Sequence, residues 1–158
     1  MNINPEEYPK EINNFIGYLN YYASNADFPE LILLCQKALN KVDQNNYPEL
    51  WGFIQFELGI AYKKRKKVPE EEDIEMAIAY AKNALKVYNY NDFPKDWAAL
   101  QSFLGECYLI RVKGLEQNNI ERAIDYLNYA LEVYASNVGS KVWIDVSLLS
   151  RQSLYEAI

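Results

Sequence analysis

Lys63-Lys64-Arg65-Lys66-Lys67, followed after Val68-Pro69 by Glu70-Glu71-Glu72-Asp73, is the densest charged stretch of the chain. Five successive cations could neutralise phosphates, but no aromatic or glycine residues interleave them as a nucleic-acid platform needs. Cations at the end of one helix and anions at the start of the next both sit well against the helix dipoles, so the stretch reads as a solvated hairpin tip with compensating charges. Other chemistry is sparse. The sequence has no histidine, which removes the commonest general base and metal ligand and every Ser-His-Asp or Cys-His arrangement. Cys35 and Cys107 are too few and too far apart for a structural zinc site, and no GxxxxGK[ST] or GxGxxG run occurs. The acidic residues fall at capping and surface positions. An enzyme is not expected, nor a cofactor or a bound metal.

The elements around these residues are helical by composition. Half of the 158 residues are hydrophobic, and only 6 glycines and 6 prolines interrupt them. The 14 tyrosines suit helix–helix seams and half-wet grooves. A net charge of −6 opposes nucleic acid outside a local basic patch. No apolar run approaches the ~18–20 residues that span a bilayer. The start, Met1-Asn-Ile-Asn-Pro-Glu-Glu-Tyr, has neither the basic region nor the apolar core of a signal peptide, so a cytoplasmic address is expected. Both cysteines lie on apolar stripes and read as buried small hydrophobes.

The order of the elements comes from an internal period. Trp51, Trp97 and Trp143 are spaced by 46 residues, and laying 47–92 on 93–138 makes about nineteen of 46 positions identical. Each copy reads as two helices. The first begins at Pro48 or Pro94, with Asn46-Tyr47 or Asp92-Phe93 before it as capping residues. Gly59 lies inside the first helix, where it costs roughly 1 kcal/mol relative to Ala unless another helix crosses closely there. The second helix has Ile74, Ala77, Ile78, Ala81, Ala84, Leu85 and Tyr88 on a broad stripe. A degenerate copy precedes these: Glu11 to Ala23, then Asp27-Phe28-Pro29 opening a helix to about Val42. Ser140 to Ile158 gives a seventh helix. The expected architecture is all-α and a single domain over 1–158, with hairpins at 8–43, 47–90 and 93–136 and a terminal helix at 140–158.

Leu58-Gly59-x-x-Tyr62 and Leu104-Gly105-x-x-Tyr108 resemble the first-helix core of a tetratricopeptide repeat. Ala77-x6-Ala84 and Ala123-x6-Ala130 resemble its second-helix core. Ile16-Gly17 and Leu31-x6-Ala38 play these parts in the degenerate unit. The usual repeat is about 34 residues, so the period here implies longer helices. Gln55 and Gln101 stand where the family has an aromatic, and Asn89 and Ala135 where it has a closing proline. The 46-residue variant is similar to repeats of large bacterial signalling proteins. The resemblance implies a right-handed solenoid of stacked antiparallel hairpins whose first helices line a concave groove.

On that resemblance the groove residues are Phe53, Phe56, Ile60, Lys63 and Lys64 in one unit. In the next they are Ala99, Ser102, Phe103, Glu106, Leu109 and Ile110. Such a surface suits an amphipathic helix or an extended peptide, as in an adaptor or sensor. The plainer reading is that these side chains pack against the adjacent hairpin. Two further alternatives stand: a structural subunit self-associating through its terminal helices, with Trp143, Val146, Leu149 and Leu154 on the last, and nucleic-acid or phosphate binding through Lys63–Lys67.

Overall fold

A computed structural model describes residues 1 and 3–138; the seventh helix expected at 140–158, Trp143 included, lies outside the described residues. Among the described residues the fold is all-helical, without a strand. A single 3-10 turn, Pro5–Glu7, precedes six α-helices: α1 Lys10–Ser24, α2 Phe28–Ala38, α3 Pro48–Lys64, α4 Glu71–Ala84, α5 Pro94–Ile110 and α6 Glu116–Val138. Each helix packs against the next, most extensively α3 against α4 and α5 against α6.

Helices α3 and α5 start at their prolines, but the expected caps do not form. Their N-cap residues are Tyr47 and Phe93, neither of which makes a side-chain capping bond. The polar residues before them brace the preceding loop instead. Asp43 Oδ1 accepts the backbone N–H groups of Asn45 and Asn46, at 2.7 and 2.9 Å. Forty-six residues on, Asn89 Oδ1 accepts those of Asn91 and Asp92, both at 3.0 Å. An Asx side chain satisfying the two following N–H groups fixes the turn that aims each helix. Asn89 thus sets a turn of its own.

The hairpins close on small residues. A β-carbon on Gly59 would stand 3.2 Å from the carbonyl oxygen of Ala77, and one on Gly105 would stand 3.3 Å from that of Ala123. Gly105 is tighter still, since the added carbon would lie 2.7 Å from Cγ of Leu127. Gly17, the degenerate unit's counterpart in the sequence, is exposed and has nothing within 4 Å of such a carbon. No helix crosses α1 there, so Gly17 does not do the work of Gly59.

Two principal cores follow. Ile12, Ile16, Leu19, Leu31, Leu50, Ile54 and Leu58 bring α1, α2 and α3 together. Ile74, Ala77, Ile78, Leu100, Phe103, Leu104 and Ala123 join α4, α5 and α6. Cys35 and Cys107 are fully buried, one in each core. Trp51 and Trp97 are both half-buried in the opening turns of their helices, but their neighbours differ. Trp51 packs on the first core, whereas Trp97 lies against Ala98, Ala130 and Val133 with Tyr90 and Tyr129 beside it. Positions 46 before those tyrosines hold Gln44 and Asn83, so the aromatic surround belongs to Trp97 alone.

These crossings give substitutions of opposite sign. Gly17→Ala should raise stability by about 0.5–1 kcal/mol, through helix propensity with no steric cost. Gly105→Ala gains the same propensity but overpacks against Leu127 and Ala123, at a cost of about 1–3 kcal/mol, and should be net destabilising. Urea denaturation of the two variants beside the parent chain decides it; a stabilised Gly105→Ala would mean the crossing is looser than described.

Candidate partner-binding face

The expected groove residues fall on α3 and α5 at spacings of three and four, which places them on one stripe of each helix. The structure brings the middle of the two stripes together. The rings of Phe56 and Phe103 meet edge to face at 5.4 Å. Lys63 places its ammonium 5.1 Å from the Phe103 ring centre and forms an ion pair with Glu106. Ile60 and Phe56 are half-buried against the second core. Lys64 is exposed, Ala99 and Ser102 are half-buried, and Leu109 and Ile110 are 42% and 45% exposed at the end of α5.

Two placements correct the sequence reading. Phe103 is buried within the second core, so its ring is an internal packing element and not an open anchor. It occupies the space that Gly59 leaves, 3.4 Å from the missing β-carbon. Phe53 packs on the first core, apart from the Phe56–Phe103 contact. The open part of the face is therefore Lys64, Glu106, Leu109 and Ile110, rimmed by Phe56, Ile60 and Ser102.

Sequence reasoning missed two acids on the same stripes. Glu57 lies four residues after Phe53 and three before Ile60; Asp96 lies three before Ala99. Helical spacing places both on the stripes but does not by itself mark either as part of the face. At the positions 46 away stand Phe103 and Leu50, so each acid replaces an apolar core residue of the other unit. Burial pushes the Glu57 carboxyl above its ordinary range, against the downward pull of the Met1 ammonium and Lys64.

The charged hairpin tip is largely neutralised from within. Arg65 bonds to the fully buried Asp73, with its Nε 2.8 Å from Oδ1, and Lys66 pairs with Glu70. With Lys63 committed to Glu106, Lys64 and Lys67 are the cations of the run that make no ion pair among the described residues. Arg65 also lies over Tyr62, whose ring stacks on Tyr80. The next unit builds the same cluster. Arg111 lies over Tyr108, which stacks on Tyr126, and donates to Asn119 at 3.2 Å where the first unit has Asp73. Arg111 further grips Glu75 with both ends of its guanidinium, at 2.6 and 3.0 Å, and so ties the end of α5 to α4.

Burial raises both thiols, Cys107 to about 12 and Cys35 higher, so neither is poised as a nucleophile at neutral pH. Among the described residues no three His, Cys, Asp or Glu side chains converge as a metal site would need, and no helix is long and apolar enough to cross a membrane. Comparison of the chain with family models, curated proteins and solved structures finds no match.

The Arg65–Asp73 and Arg111–Glu75 contacts set an acid limit. Burial pushes Asp73 up, but hydrogen bonds from Arg65 and the Glu70 N–H, with the nearby cations, bring it below the ordinary carboxylate range. The hydrogen bond from Arg111 outweighs burial and lowers Glu75 likewise. A depressed carboxylate stabilises the fold above its unfolded pKa, about 4, and that contribution is lost as pH falls through the folded value. Asp73→Asn, the residue that position 119 already uses, should keep the fold at pH 7 with lower stability. Its melting temperature should fall less steeply than the parent's between pH 5 and pH 2.5. Parallel curves would show that the Asp73 charge contributes nothing.

Proposed function

We propose that the chain is a protein–protein interaction module of tetratricopeptide type, in which stacked hairpins present the α3–α5 face to a partner protein or peptide. The observation that supports this reading best is the Phe56, Lys63, Phe103 and Glu106 contact, which joins the first helices of two successive units directly. First helices lying side by side are what a right-handed stack with a groove requires. The like contacts at positions 46 apart support the stack as well: the Asx turns, the glycine crossings, and the Arg–Tyr–Tyr clusters ending in Asp73 or Asn119. Beyond the buried contact, Leu109 and Ile110 expose apolar surface beside the charges of Lys64 and Glu106, a mixture suited to peptide recognition.

The reading places the chain among binding modules and not among enzymes, with a cytoplasmic address. Absence of histidine and the inert, buried thiols support that choice. Internal neutralisation of Lys63, Arg65 and Lys66 argues against phosphate or nucleic acid as the main partner. Self-association through the last helix concerns residues outside those described.

A triple variant, Lys64→Glu with Leu109→Ser and Ile110→Ser, tests the face while leaving the cores intact. Partners that cross-link to the parent chain in extract should be recovered at least about tenfold less with this variant, a loss of about 1.4 kcal/mol or more. A control, Lys37→Ser on the exposed side of α2, should recover them unchanged. Equal recovery by the triple variant and the parent would remove this face as the binding site.

A further inference from the structure

Helix α6 repeats the surface on which α4 receives α5, and among the described residues no helix follows it. Ile74, Ile78 and Tyr88 recur 46 residues later as Ile120, Ile124 and Tyr134, the same residue types in the same register. In the first copy all three are buried in the core that joins α4 to α5. In the second they come out of cover. Ile78 is 5% exposed and Ile124 37%, and Ile120 is half-buried where Ile74 is buried. Tyr134 is 41% exposed against 2% for Tyr88. Tyr88 lies so close over Gly52 that a β-carbon there would stand 2.8 Å from its ring; Ala98 holds the counterpart position, so Tyr134 has no such recess.

The contact between α4 and α5 shows what such a surface takes. Glu75, Ile78 and Lys82 lie on one stripe of α4. Glu75 is gripped by Arg111 at the end of α5, and Lys82 donates to the Tyr108 hydroxyl at 3.1 Å, so Ile78 stands between two residues that reach α5. Phe93, just before α5, sets its ring edge to face with Tyr88 at 5.2 Å. On α6 the stripe reads Glu121, Ile124 and Asn128, with Tyr134 beyond. Glu121 is exposed and makes no ion pair among the described residues; it accepts a hydrogen bond from Gln117 of its own helix, at 2.9 Å. Exposed apolar side chains bordered by a carboxylate suit an amphipathic helix with one cationic anchor. The next stretch of the sequence does not carry α5's contact residues. Positions 46 after Phe93, Tyr108 and Arg111 hold Gly139, Leu154 and Ala157, which offer no ring to Tyr134, no hydroxyl to Asn128 and no cation to Glu121.

We propose that the outer face of α6 is a second docking surface, which takes from a partner protein an amphipathic helix of α5's pattern. That helix has an aromatic residue at its start for Tyr134, an apolar stripe for Ile120 and Ile124, and an arginine about five turns on for Glu121. The surface is separate from the α3–α5 face and does not depend on it. Its partner extends the stack by the contacts that already join α4 to α5, as stacked repeats do through nearest-neighbour interfaces.

A fluorescent peptide of residues 92–112, which is α5 with its flanks, serves as the probe in anisotropy titrations with the full chain under reducing conditions. It should bind saturably. Ile124→Glu in the protein should weaken binding by at least about tenfold. Its circular dichroism and melting temperature should stay near the parent's, because position 124 is exposed. Glu121→Arg should weaken binding as well, and Arg111→Glu in the peptide should restore it toward that variant while weakening it toward the parent. The Lys64, Leu109 and Ile110 triple variant should bind the peptide as the parent does, which separates this surface from the α3–α5 face. Absence of saturable binding at millimolar peptide overturns the proposal, whether the surface has no affinity or residues 140–158 already cover it. Equal affinity for the parent and Ile124→Glu chains, or a charge exchange that restores nothing, overturns it too. The exchange changes one exposed side chain of the protein and decides the matter even if Ile124→Glu folds poorly.

Discussion

The carbonyl oxygens of Ala77 and Ala123 stand so close to the facing helix that a β-carbon there would lie 3.2 and 3.3 Å away, and the rest of the hairpin geometry is set outward from those two glycine crossings. Close approach brings the far ends of each helix pair within reach of short contacts. Tyr62 can then stack on Tyr80 and Tyr108 on Tyr126, at 5.5 and 5.4 Å. Each stacked pair gives its arginine a flat surface to cover, and the arginine in turn reaches the polar residue near the start of the second helix. A bulkier residue at Gly59 or Gly105 would splay the helices and separate these partners together. That coupling explains why both hairpins keep the whole cluster, whereas the first hairpin, whose Gly17 faces open space, keeps none of it.

The same crossing determines what lies between units. Because Gly59 has no side chain, the Phe103 ring of the next first helix fills the gap beside it, and Phe56 and Lys63 close around that ring. On the other side Arg111 bridges to Glu75, and Lys82 donates to the Tyr108 hydroxyl at 3.1 Å. Neighbouring units are therefore held by an aromatic contact on one side and by charge-assisted hydrogen bonds on the other. The exposed Lys63–Glu106 pair adds little stability by itself, typically about 0–1 kcal/mol. Its consequence is geometric: it fixes the Lys63 stem over Phe103, while Lys64 makes no ion pair among the described residues.

Much of this was legible in the sequence, and the parts that were not share a cause. Helical class, the starts at Pro48 and Pro94 and the burial of Cys35 and Cys107 follow from periodicity and from the chemistry of proline, which act within a few residues. Gly59 and Gly105 could be read as crossings because an interior helical glycine needs a reason. Gly17 could not be separated from them, since what distinguishes it is a helix that does not pass nearby. Asn46 and Asp92 look like caps in one dimension; in the fold their own backbone N–H groups are held by Asp43 and Asn89 in the preceding turn, and their side chains make no capping bond to the helix. Phe103 looks like a groove residue in one dimension, because the space that Gly59 opens for its ring exists only in the packed fold. Helical spacing places Glu57 and Asp96 on the same stripes, but acids on a surface stripe carry no signal until something cationic is seen beside them.

The two ends of the α3–α5 face differ in charge, and the difference bears on what can lie along it. Asp96 stands in the first turn of α5 and Glu57 in the middle of α3, whereas Lys63 and Lys64 stand at the end of α3. A helix start favours anions and a helix end favours cations, so Asp96, Lys63 and Lys64 are each stabilised where they stand by the dipole of their own helix. A segment lying along the face is then asked to put positive charge near the helix starts and negative charge near the end of α3. The Met1 segment meets the first demand. Its own acids, Glu6 and Glu7, lie in the turn leading away toward α1, not beside Lys64. The Met1 ammonium thus meets Asp96 at one end of the face, and Lys64, Leu109 and Ile110 stay exposed at the other.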